Sequence, residues 1–276
     1  MHYQMKAVVF DILAECNELK TELRCAGVTV LTPFLGISVQ EALRQELACA
    51  GFLGEEVLFL TNNEPHARAA QACGMAVIGC VEGHFEVPKA ATLLESPEEV
   101  SVGYLNLVYC HAKKIPALIL ETERMYVKEL TAQDMNRLYE ILTDDEVARY
   151  LHAKAGSREE ELEKLISYVS CVYPFFEYGY WGVFFKETGA LIGRAGFREG
   201  SYPPEAGYVI CRELWGQGLA TELLLALKQY AVEELAAEEI RAKIDTQNRA
   251  SIRVAEKCGF SLKTQEESIA EYTCIM

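Results

Sequence analysis

The sequence predicts an α/β protein of two domains, the first built on a doubly wound parallel sheet. Its 276 residues exceed what one hydrophobic core usually organises. Over roughly the first 115 residues, short apolar runs typical of buried strands alternate with helix-like segments. The segment Lys113-Lys-Ile-Pro116 then ends this alternation, because the residue before a proline is pushed out of helical geometry. We therefore expect domains at residues 1–115 and 116–276.

The first domain alternates between strand and helix signals along its whole length. Strands are predicted at residues 7–11, 28–32, 57–61 and 76–80. Helices are predicted at about 15–26, from Ser38 onwards, at 64–73, and from about 96 to 114. Ser38 followed by Glu41 fits a capping box. The first strand ends in Asp11, which predicts a carboxylate at the carboxyl edge of the sheet.

The second domain opens with residues 122–131, which alternate in the manner of a strand. Thr131 fits the N-cap of a helix over about 132–142, and further helices are predicted at 144–151 and 159–173. An aromatic-rich run then leads into a hairpin with strands at 181–185 and 191–197. The remaining elements are predicted as a strand at 206–210, a helix at 218–235, a strand at 239–245 and a helix at 248–258.

Composition limits the classes of partner. The net charge of −15 repels phosphate backbones and anionic lipids, which argues against nucleic acid or membrane as the main partner. An amine-bearing substrate would be attracted, although the charge can equally serve solubility alone. The ten cysteines show no Cys-x-x-Cys spacing, so no metal site is expected. The N-terminus lacks a secretory signal, and we expect a cytoplasmic protein with reduced thiols.

Two glycines, Gly216 and Gly218, stand between the strand at 206–210 and the helix that follows it. Glycine lets the backbone approach a ligand closely, and the N–H groups of residues 216–221 would meet the positive end of the helix dipole. This layout predicts a phosphate site. The alternative is a tight strand–helix turn without a ligand.

A second motif makes the prediction for this turn more specific. Trp215-Gly-Gln-Gly-Leu-Ala220 is followed, after a helix and a strand, by Asn248-x-x-Ser251 and Glu256-Lys-x-Gly259-Phe260. Residues 120–276 thereby resemble the GNAT acyl-coenzyme A N-acetyltransferases, and most closely the branch that acetylates N-terminal amines of ribosomal proteins. The resemblance implies a GNAT fold with a mixed, mostly antiparallel sheet and flanking helices. It also implies acetyl-CoA as co-substrate, a primary amine of a small molecule or protein N-terminus as acceptor, and a homodimer as one compatible assembly.

The resemblance also implies which residues bind coenzyme A. These are Val209, Ile210, Cys211, Trp215, Gly216, Gln217, Gly218, Leu219, Ala220, Thr221, Asn248 and Ser251. The main chain of residues 209–211 would pair with the pantetheine arm like an added strand, Asn248 would hydrogen-bond the arm, and Ser251 would lie near the sulfur. Many GNAT enzymes carry a tyrosine as general acid where this chain has Ala255. Ser251, another group or water must then return the proton to the thiolate.

Attack by an amine requires its neutral form, so a carboxylate at the mouth of the strands could act as general base. Glu205 is the first candidate, because the resembling branch often has a glutamate there, and Asp245 is the second. Each is alternatively a solvated charge at a strand end. Tyr208 is expected to form a wall of the site, since its side chain alternates with buried neighbours.

The first domain resembles a small, capless member of the haloacid dehalogenase superfamily, which implies a Rossmann-like sheet. The resemblance rests on Val-Val-Phe-Asp11 and on Leu-Phe-Leu-Thr-Asn-Asn-Glu-Pro-His66. The second motif aspartate is replaced by Leu13, and the last-motif positions fall on Asn62 and His66. Asp11 is the only aspartate in residues 1–133, and one carboxylate would bind Mg²⁺ poorly.

We therefore expect a degenerate domain in which Asp11 bonds loop amides and His66 caps or decorates a helix start. Two alternatives to an acetyltransferase remain. One is a phosphatase that uses Asp11, and the other is an acyl-coenzyme A sensor or scaffold without turnover.

Overall fold

The computed structural model describes residues 4–12, 14–32, 39–81, 92–151 and 155–276. The chain forms two compact units, Met1–Ala117 and Leu118–Met276. Leu13 and Ser38, which the sequence singles out, lie outside the described residues.

The first unit contains a parallel sheet, as predicted, with five strands where four were expected. Its strands are β1 (Ala7–Asp11), β2 (Thr29–Leu31), β3 (Val57–Thr61), β4 (Ala76–Cys80) and β5 (Thr92–Leu94). They lie in the order β2-β1-β3-β4-β5. Its helices are α1 (Asn17–Cys25), α2 (Val39–Ala50), α3 (Glu64–Ala72) and α4 (Val102–Lys113). The strand β5 was not predicted, and α4 begins later than expected because Ser101 caps it by accepting a hydrogen bond from the Tyr104 N–H at 2.9 Å.

Both faces of this parallel sheet are covered. Along β1, Ala7 and Val9 are as deeply buried as Val8 and Phe10, and these two pairs point to opposite faces. On one face, β1 and β3 pack with Leu43 of α2 and with side chains of α3. Burial on both faces is what the near-continuous apolar strands of a parallel sheet require.

The second unit contains two sheets. The strands of the first are β6 (Leu118–Glu121), β7 (Met125–Lys128), β8 (Tyr180–Phe185), β9 (Leu191–Phe197) and β10 (Ala206–Ile210). Those of the second are β11 (Glu239–Asp245), β12 (Ser261–Glu266) and β13 (Ile269–Ile275). The first sheet is antiparallel in the order β10-β9-β8-β7-β6, and the second is antiparallel in the order β11-β13-β12.

Helices flank these sheets, as predicted. They are α5 (Met135–Thr143), α6 (Asp145–Ala148), α7 (Arg158–Ser167), α8 (Tyr173–Phe176), α9 (Leu219–Glu233) and α10 (Arg249–Lys257), with a π-helical segment at Tyr168–Val172. Within the described ranges, no helix has both the length and the apolar character that crossing a membrane requires.

One expectation for the second unit was wrong. The single strand predicted at 122–131 is a turn followed by β7, because the Thr122 hydroxyl accepts a hydrogen bond from the Met125 N–H at 2.9 Å and reverses the chain there. Thr131 is the N-cap of the next helical stretch, as predicted, although its first turn, Ala132–Asp134, is 3₁₀ and α5 follows. The Asp134 carboxylate accepts from the Thr131 N–H at 2.7 Å and from its hydroxyl at 2.8 Å. The hairpin of β12 and β13 was not predicted.

The strands β10 and β11 meet only where they begin. Glu205 and Arg241 form an isolated parallel bridge, and the Arg241 N–H donates to the Pro204 carbonyl at 2.9 Å. Beyond this bridge each strand pairs within its own sheet, and no ladder between β10 and β11 continues among the described residues. The two strands therefore leave a crevice between facing edges. The helices α9 and α10 follow β10 and β11 at the open end of this crevice.

Candidate functional site

A glycine turn connects β10 to α9 at the open end of the crevice. Gly216 and Gly218 have φ values of 77° and 80°, in the left-handed region that favours glycine. A Cβ atom at Gly216 would meet no heavy atom within 4 Å, so the turn requires glycine there for its backbone conformation. Gly218 is the N-cap of α9, and no side chain caps this helix.

The missing cap leaves a row of backbone donors. The N–H groups of Thr221 and Glu222 both bond the Gly218 carbonyl, at 3.1 Å each. For the N–H groups of residues 216–220, no acceptor is found in the part of the chain that the structure describes. The sequence predicted that the N–H groups of residues 216–221 are available to a ligand, but the N–H group of Thr221 is already used. Unpaired amides at the positive end of a helix, here one of 15 residues, are an arrangement that typically binds anions.

Arg124 holds this turn in shape, and the sequence did not identify it as a site residue. Its Nε donates to Glu222 Oε2 at 2.7 Å, and its backbone N–H donates to Glu222 Oε1 at 2.9 Å. Its Nη1 donates to the Gln217 carbonyl at 2.9 Å. Burial alone would raise the pKa of Glu222, but hydrogen bonds from Thr122 and Arg124 outweigh it, and the pKa is lowered.

Trp215 joins the turn to the preceding strand. Its indole N–H donates to the Ile210 carbonyl at 2.7 Å, while 46% of the residue's surface remains exposed. The polar atom of Trp215 is therefore used within the chain, and what it offers a ligand is the face of its ring.

The crevice-facing groups of β10 follow from the alternation of an antiparallel strand. The Cys211 N–H donates to the Ile192 carbonyl at 2.7 Å, and the Val209 side chain packs into the apolar cluster of α5 and α7. Residues 209 and 211 thus direct their main chain to β9. The main chain of Tyr208 and Ile210 faces the crevice, and the Ile210 carbonyl already accepts from Trp215.

The first turn of α10 lies across the crevice. The Oδ1 atom of Asn248 accepts a hydrogen bond from the Ser251 N–H at 3.0 Å, which caps the helix. This orientation leaves the Nδ2 donor of Asn248 for another acceptor. The Tyr208 hydroxyl is buried beside the Ser251 side chain. Burial raises the pKa of Tyr208 to about 12, while a hydrogen bond with Ser251 acts in the opposite direction.

The two carboxylates considered as bases lie at opposite ends of the crevice. Glu205 sits at the closed end, with Oε2 3.0 Å from Lys243 Nζ and Oε1 3.9 Å from Arg198 Nη1. Asp245 ends β11 at the open end, where its Oδ1 accepts from the Gln247 N–H at 2.7 Å and closes the turn into α10. Asp245 is four residues beyond the Arg241 bridge, a distance of about 14 Å at about 3.4 Å per residue.

In the first unit, the hydrogen bonds found for Asp11 among the described residues are made by side chains, where loop amides were expected. Its Oδ2 accepts from Thr61 Oγ1 at 2.6 Å and lies 2.6 Å from His66 Nδ1. The His66 N–H donates to the Asn63 side chain, which caps α3. Across the described ranges, no group of three or more His, Cys, Asp or Glu side chains is placed to hold a metal ion.

Comparison with known proteins extends these observations. The Acetyltransferase (GNAT) domain family matches residues 124–261, half of the chain. An uncharacterized N-acetyltransferase of Bacillus subtilis (strain 168), YoaA, is 31% identical over 145 residues, which cover 51% of this chain and 82% of YoaA. Another of Bacillus licheniformis, p20, is 26% identical over 144 residues, 51% of this chain and 81% of p20.

Two solved structures share the fold of the second unit. One is the ribosomal L7/L12 alpha-N-protein acetyltransferase RimL in complex with coenzyme A, with a TM-score of 0.51 at 16% identity over 58% of this chain and 98% of that one. The other is a ribosomal-protein-S5-alanine acetyltransferase of Vibrio fischeri, with a TM-score of 0.50 at 16% identity over 56% of this chain and 95% of that one. At these identities, the likeness establishes the fold alone.

Proposed function

We propose that this chain, which belongs to the acetyltransferase (GNAT) family and is an acyltransferase, transfers the acetyl group of acetyl-coenzyme A directly to a primary amine. The observation that carries this proposal is the row of free amides at residues 216–220, at the uncapped start of α9. The pyrophosphate of coenzyme A is an anion of the kind such a helix start binds.

The crevice would take the rest of the coenzyme. The pantetheine arm is a chain of amides, and the main chain of Tyr208 and Ile210 offers it the free edge of β10. The Asn248 Nδ2 donor and the Ser251 hydroxyl face the arm from α10. Acetyl-coenzyme A supplies a thioester whose carbonyl carbon a neutral amine can attack, with coenzyme A thiolate as the leaving group. Because β10 and β11 meet at Glu205, the thioester would lie near this closed end, farthest from the turn.

Glu205 is the better candidate for the base that takes a proton from the amine. It lies at the closed end, and its Oε1, 3.9 Å from Arg198, is less tightly engaged than the Oε2 that pairs with Lys243. Asp245 is at the opposite end of the crevice, and its Oδ1 already closes a turn. A general base must come within hydrogen-bond reach of the proton that it removes, and this favours Glu205.

For the acceptor, we propose the N-terminal amine of a protein or a small primary amine. The names of the solved relatives refer to ribosomal proteins L7/L12 and S5, and the net charge of −15 attracts cationic acceptors. We further propose a cytoplasmic enzyme, with domains at residues 1–115 and 116–276, that can form a homodimer.

We propose that the first domain is a degenerate, Rossmann-like relative of the haloacid dehalogenases that does not hydrolyse phosphate esters. The Asp11 oxygen that would attack a phosphate is engaged by Thr61 and His66. This supports a packing or ligand-sensing role for the domain in preference to phosphatase chemistry.

The test is the release of free coenzyme A thiol by the full chain, supplied with acetyl-coenzyme A and a panel of peptides and small amines. We expect amine-dependent thiol release, reduced by about 10² in kcat in the Glu205→Gln variant with unchanged coenzyme A affinity. The matched Asp245→Asn variant should keep its kcat. Tight coenzyme A binding without turnover on any amine would instead support the sensor, and an intact kcat in Glu205→Gln would exclude Glu205 as base.

A further inference from the structure

Arg194 of β9 is a half-buried cation for which no hydrogen bond or ion pair is found among the described residues. It contacts the ring of Tyr180, whose centroid lies 5.4 Å from the guanidinium carbon. A hydrogen bond from Lys164, and to a smaller extent the charge of Arg194, lower the pKa of Glu161 on α7. Glu161 Oε1 nevertheless accepts from Lys164 at 2.7 Å and from the Gly156 N–H at 3.0 Å. The donors of Arg194 are therefore available to a ligand.

The Tyr180 side chain is held in place, yet its hydroxyl is not used by the chain. The Tyr180 N–H donates to the Tyr168 hydroxyl at 2.8 Å, and the Tyr180 carbonyl accepts from the Tyr173 hydroxyl at 2.7 Å. Tyr168 begins the π-helical segment, a feature that is frequent at functional sites. Across the described ranges, the hydrogen bonds found for Tyr180 use its main chain only. Unlike the Tyr208 hydroxyl, that of Tyr180 is open to solvent.

The sheet brings both groups to the face that carries Glu205. Arg194 is paired with Val209 of β10, and Tyr180 reaches β10 at Gly207, where a Cβ atom would lie 2.6 Å from the tyrosine hydroxyl. Alternate residues of a strand share a face, so positions 205, 207 and 209 present the same one. Glu205 and Gly207 are separated by about 7 Å at about 3.4 Å per residue. Burial raises the pKa of Tyr180, Arg194 opposes this rise and Glu205 adds to it, so both charges act on the tyrosine hydroxyl.

We propose that Arg194 and Tyr180 bind the carboxylate of the acceptor, and that the acceptor is a small amino acid whose amine reaches Glu205. The inference rests on the proposed function and narrows the acceptor from any primary amine to an amino-carboxylic acid. Arg194 and Tyr180 are then specificity-determining residues, and the proton transfers stay with the groups already described.

The chemistry of the two donors favours a free carboxylate. A guanidinium binds a carboxylate with two parallel N–H···O bonds, and a phenolic hydroxyl can donate one more. The N-terminus of a peptide offers a neutral carbonyl at this distance from its amine, which would leave the charge of Arg194 unpaired. A zwitterionic amino acid carries no net charge, so the net charge of −15 does not repel it as it would a simple anion.

The experiment supplies the full chain with acetyl-coenzyme A and with the standard amino acids, each compared with its own carboxamide. Wild type should use its best amino acid with a kcat/KM about 10²-fold above that of the carboxamide, because the amide lacks the charge that Arg194 pairs. Arg194→Gln should remove this preference by raising the KM for the acid about 10²-fold, with kcat within about twofold of wild type, since the contact is the same in the ground and transition states. Arg194→Lys should restore part of the preference, because it keeps the charge but not the fork of donors.

Two further variants separate recognition from structure. Tyr180→Phe should raise KM about 5-fold for acids and carboxamides alike, since the hydroxyl can bond an oxygen of either. Its unfolding temperature should stay at the wild-type value, because the described chain makes no bond to this hydroxyl. The control is Arg149→Gln, which removes an exposed cation paired with Glu146 on α6 and should change neither KM nor kcat.

Equal use of acids and carboxamides by wild type would overturn the proposal, as would an equal loss on both in Arg194→Gln or turnover confined to peptide N-termini. Calorimetry with the same amino acids, on the full chain saturated with coenzyme A, decides the question without turnover. Binding that is lost in Arg194→Gln supports the carboxylate site, and binding that is unchanged in this variant, or absent in wild type, refutes it. Absence of thiol release with every amine would instead refute the proposed transfer, so the two failures are distinguishable.

Discussion

Replacement of Gly218 by glutamate, compared with replacement by glutamine, tests the anion site at the start of α9. Both variants place a side chain of the same length at a residue whose φ is 80°. Both therefore carry the same backbone strain, of about 1–2 kcal/mol. A Cβ atom would lie 3.7 Å from Arg124 Nη2, which is an ordinary contact, so neither variant introduces a steric clash of its own. The difference between them isolates the charge.

The size of this difference follows from Coulomb's law. One negative charge about 5 Å from another costs about 3 kcal/mol at an effective dielectric constant of about 20, and about 1 kcal/mol in bulk water. The turn is exposed, so we expect a value between these limits. Coenzyme A should therefore bind Gly218→Glu between about 5-fold and 150-fold more weakly than Gly218→Gln. The gap should narrow as salt is added, because exposed charges are screened.

Titration calorimetry with coenzyme A at two salt concentrations measures this difference. Dephosphorylated pantetheine serves as the ligand control, because it lacks the pyrophosphate and should bind both variants alike. The same pair of substitutions at Gly216, where a Cβ atom meets open space, checks that a contact between the new glutamate and Arg124 does not mask the effect. Equal affinities of the Glu and Gln variants at low salt, at both positions, would refute the placement of the pyrophosphate at this turn.

Three further predictions concern other contacts. A lysine at position 124 cannot bond both Glu222 and the Gln217 carbonyl in the manner of the arginine. Arg124→Lys should therefore weaken coenzyme A binding about 10-fold, as measured by calorimetry. An unchanged affinity would contradict a role for Arg124 in shaping the turn. Hydrogen bonds from Lys263 and from two other side chains lower the pKa of Glu239 to about 2, from an ordinary 4.5. The stabilisation from this carboxylate is complete above pH 4.5 and is lost as the pH falls toward 2, so thermal unfolding of Glu239→Gln should depend less on pH in that window. Asp11→Asn should lower the unfolding temperature but leave ester hydrolysis at background, and Mg²⁺-dependent hydrolysis in wild type that disappears in the variant would contradict this.

The fold could be predicted from the sequence where apolar periodicity is strong. Three of the first four strands of the parallel sheet are buried apolar runs, whereas β2 is exposed or half-buried, and the bounds of all four agree with the prediction within one residue. The missed strand β12 gives no such signal, because all six of its residues are exposed and it is ordered by pairing with β13. The turn at Thr122 was missed because a hydroxyl, and not a glycine or proline, reverses the chain.

The residues of the candidate site that belong to the two sequence motifs could be predicted. Gly216, Gly218 and Asn248 are identified by local spacing, which fixes the local backbone. Arg124 could not be identified as part of the turn, because its partner Glu222 lies 98 residues away. The burial of the Tyr208 hydroxyl beside Ser251 likewise depends on how α10 packs, which no local pattern encodes.

The separation of β10 from β11 also affects the free energy of unfolding, because it leaves the second unit one strand short of a continuous sheet. On the proposed function, the arm of coenzyme A fills this gap and is in effect a non-covalent piece of the fold. A ligand that binds only the folded chain stabilises it by about 2.7 kcal/mol at a hundredfold excess over its Kd. Local opening between the sheets, and with it access for proteases, should therefore decrease as the cellular supply of the coenzyme increases. The lifetime of the enzyme would then follow the metabolic state that sets its own substrate level.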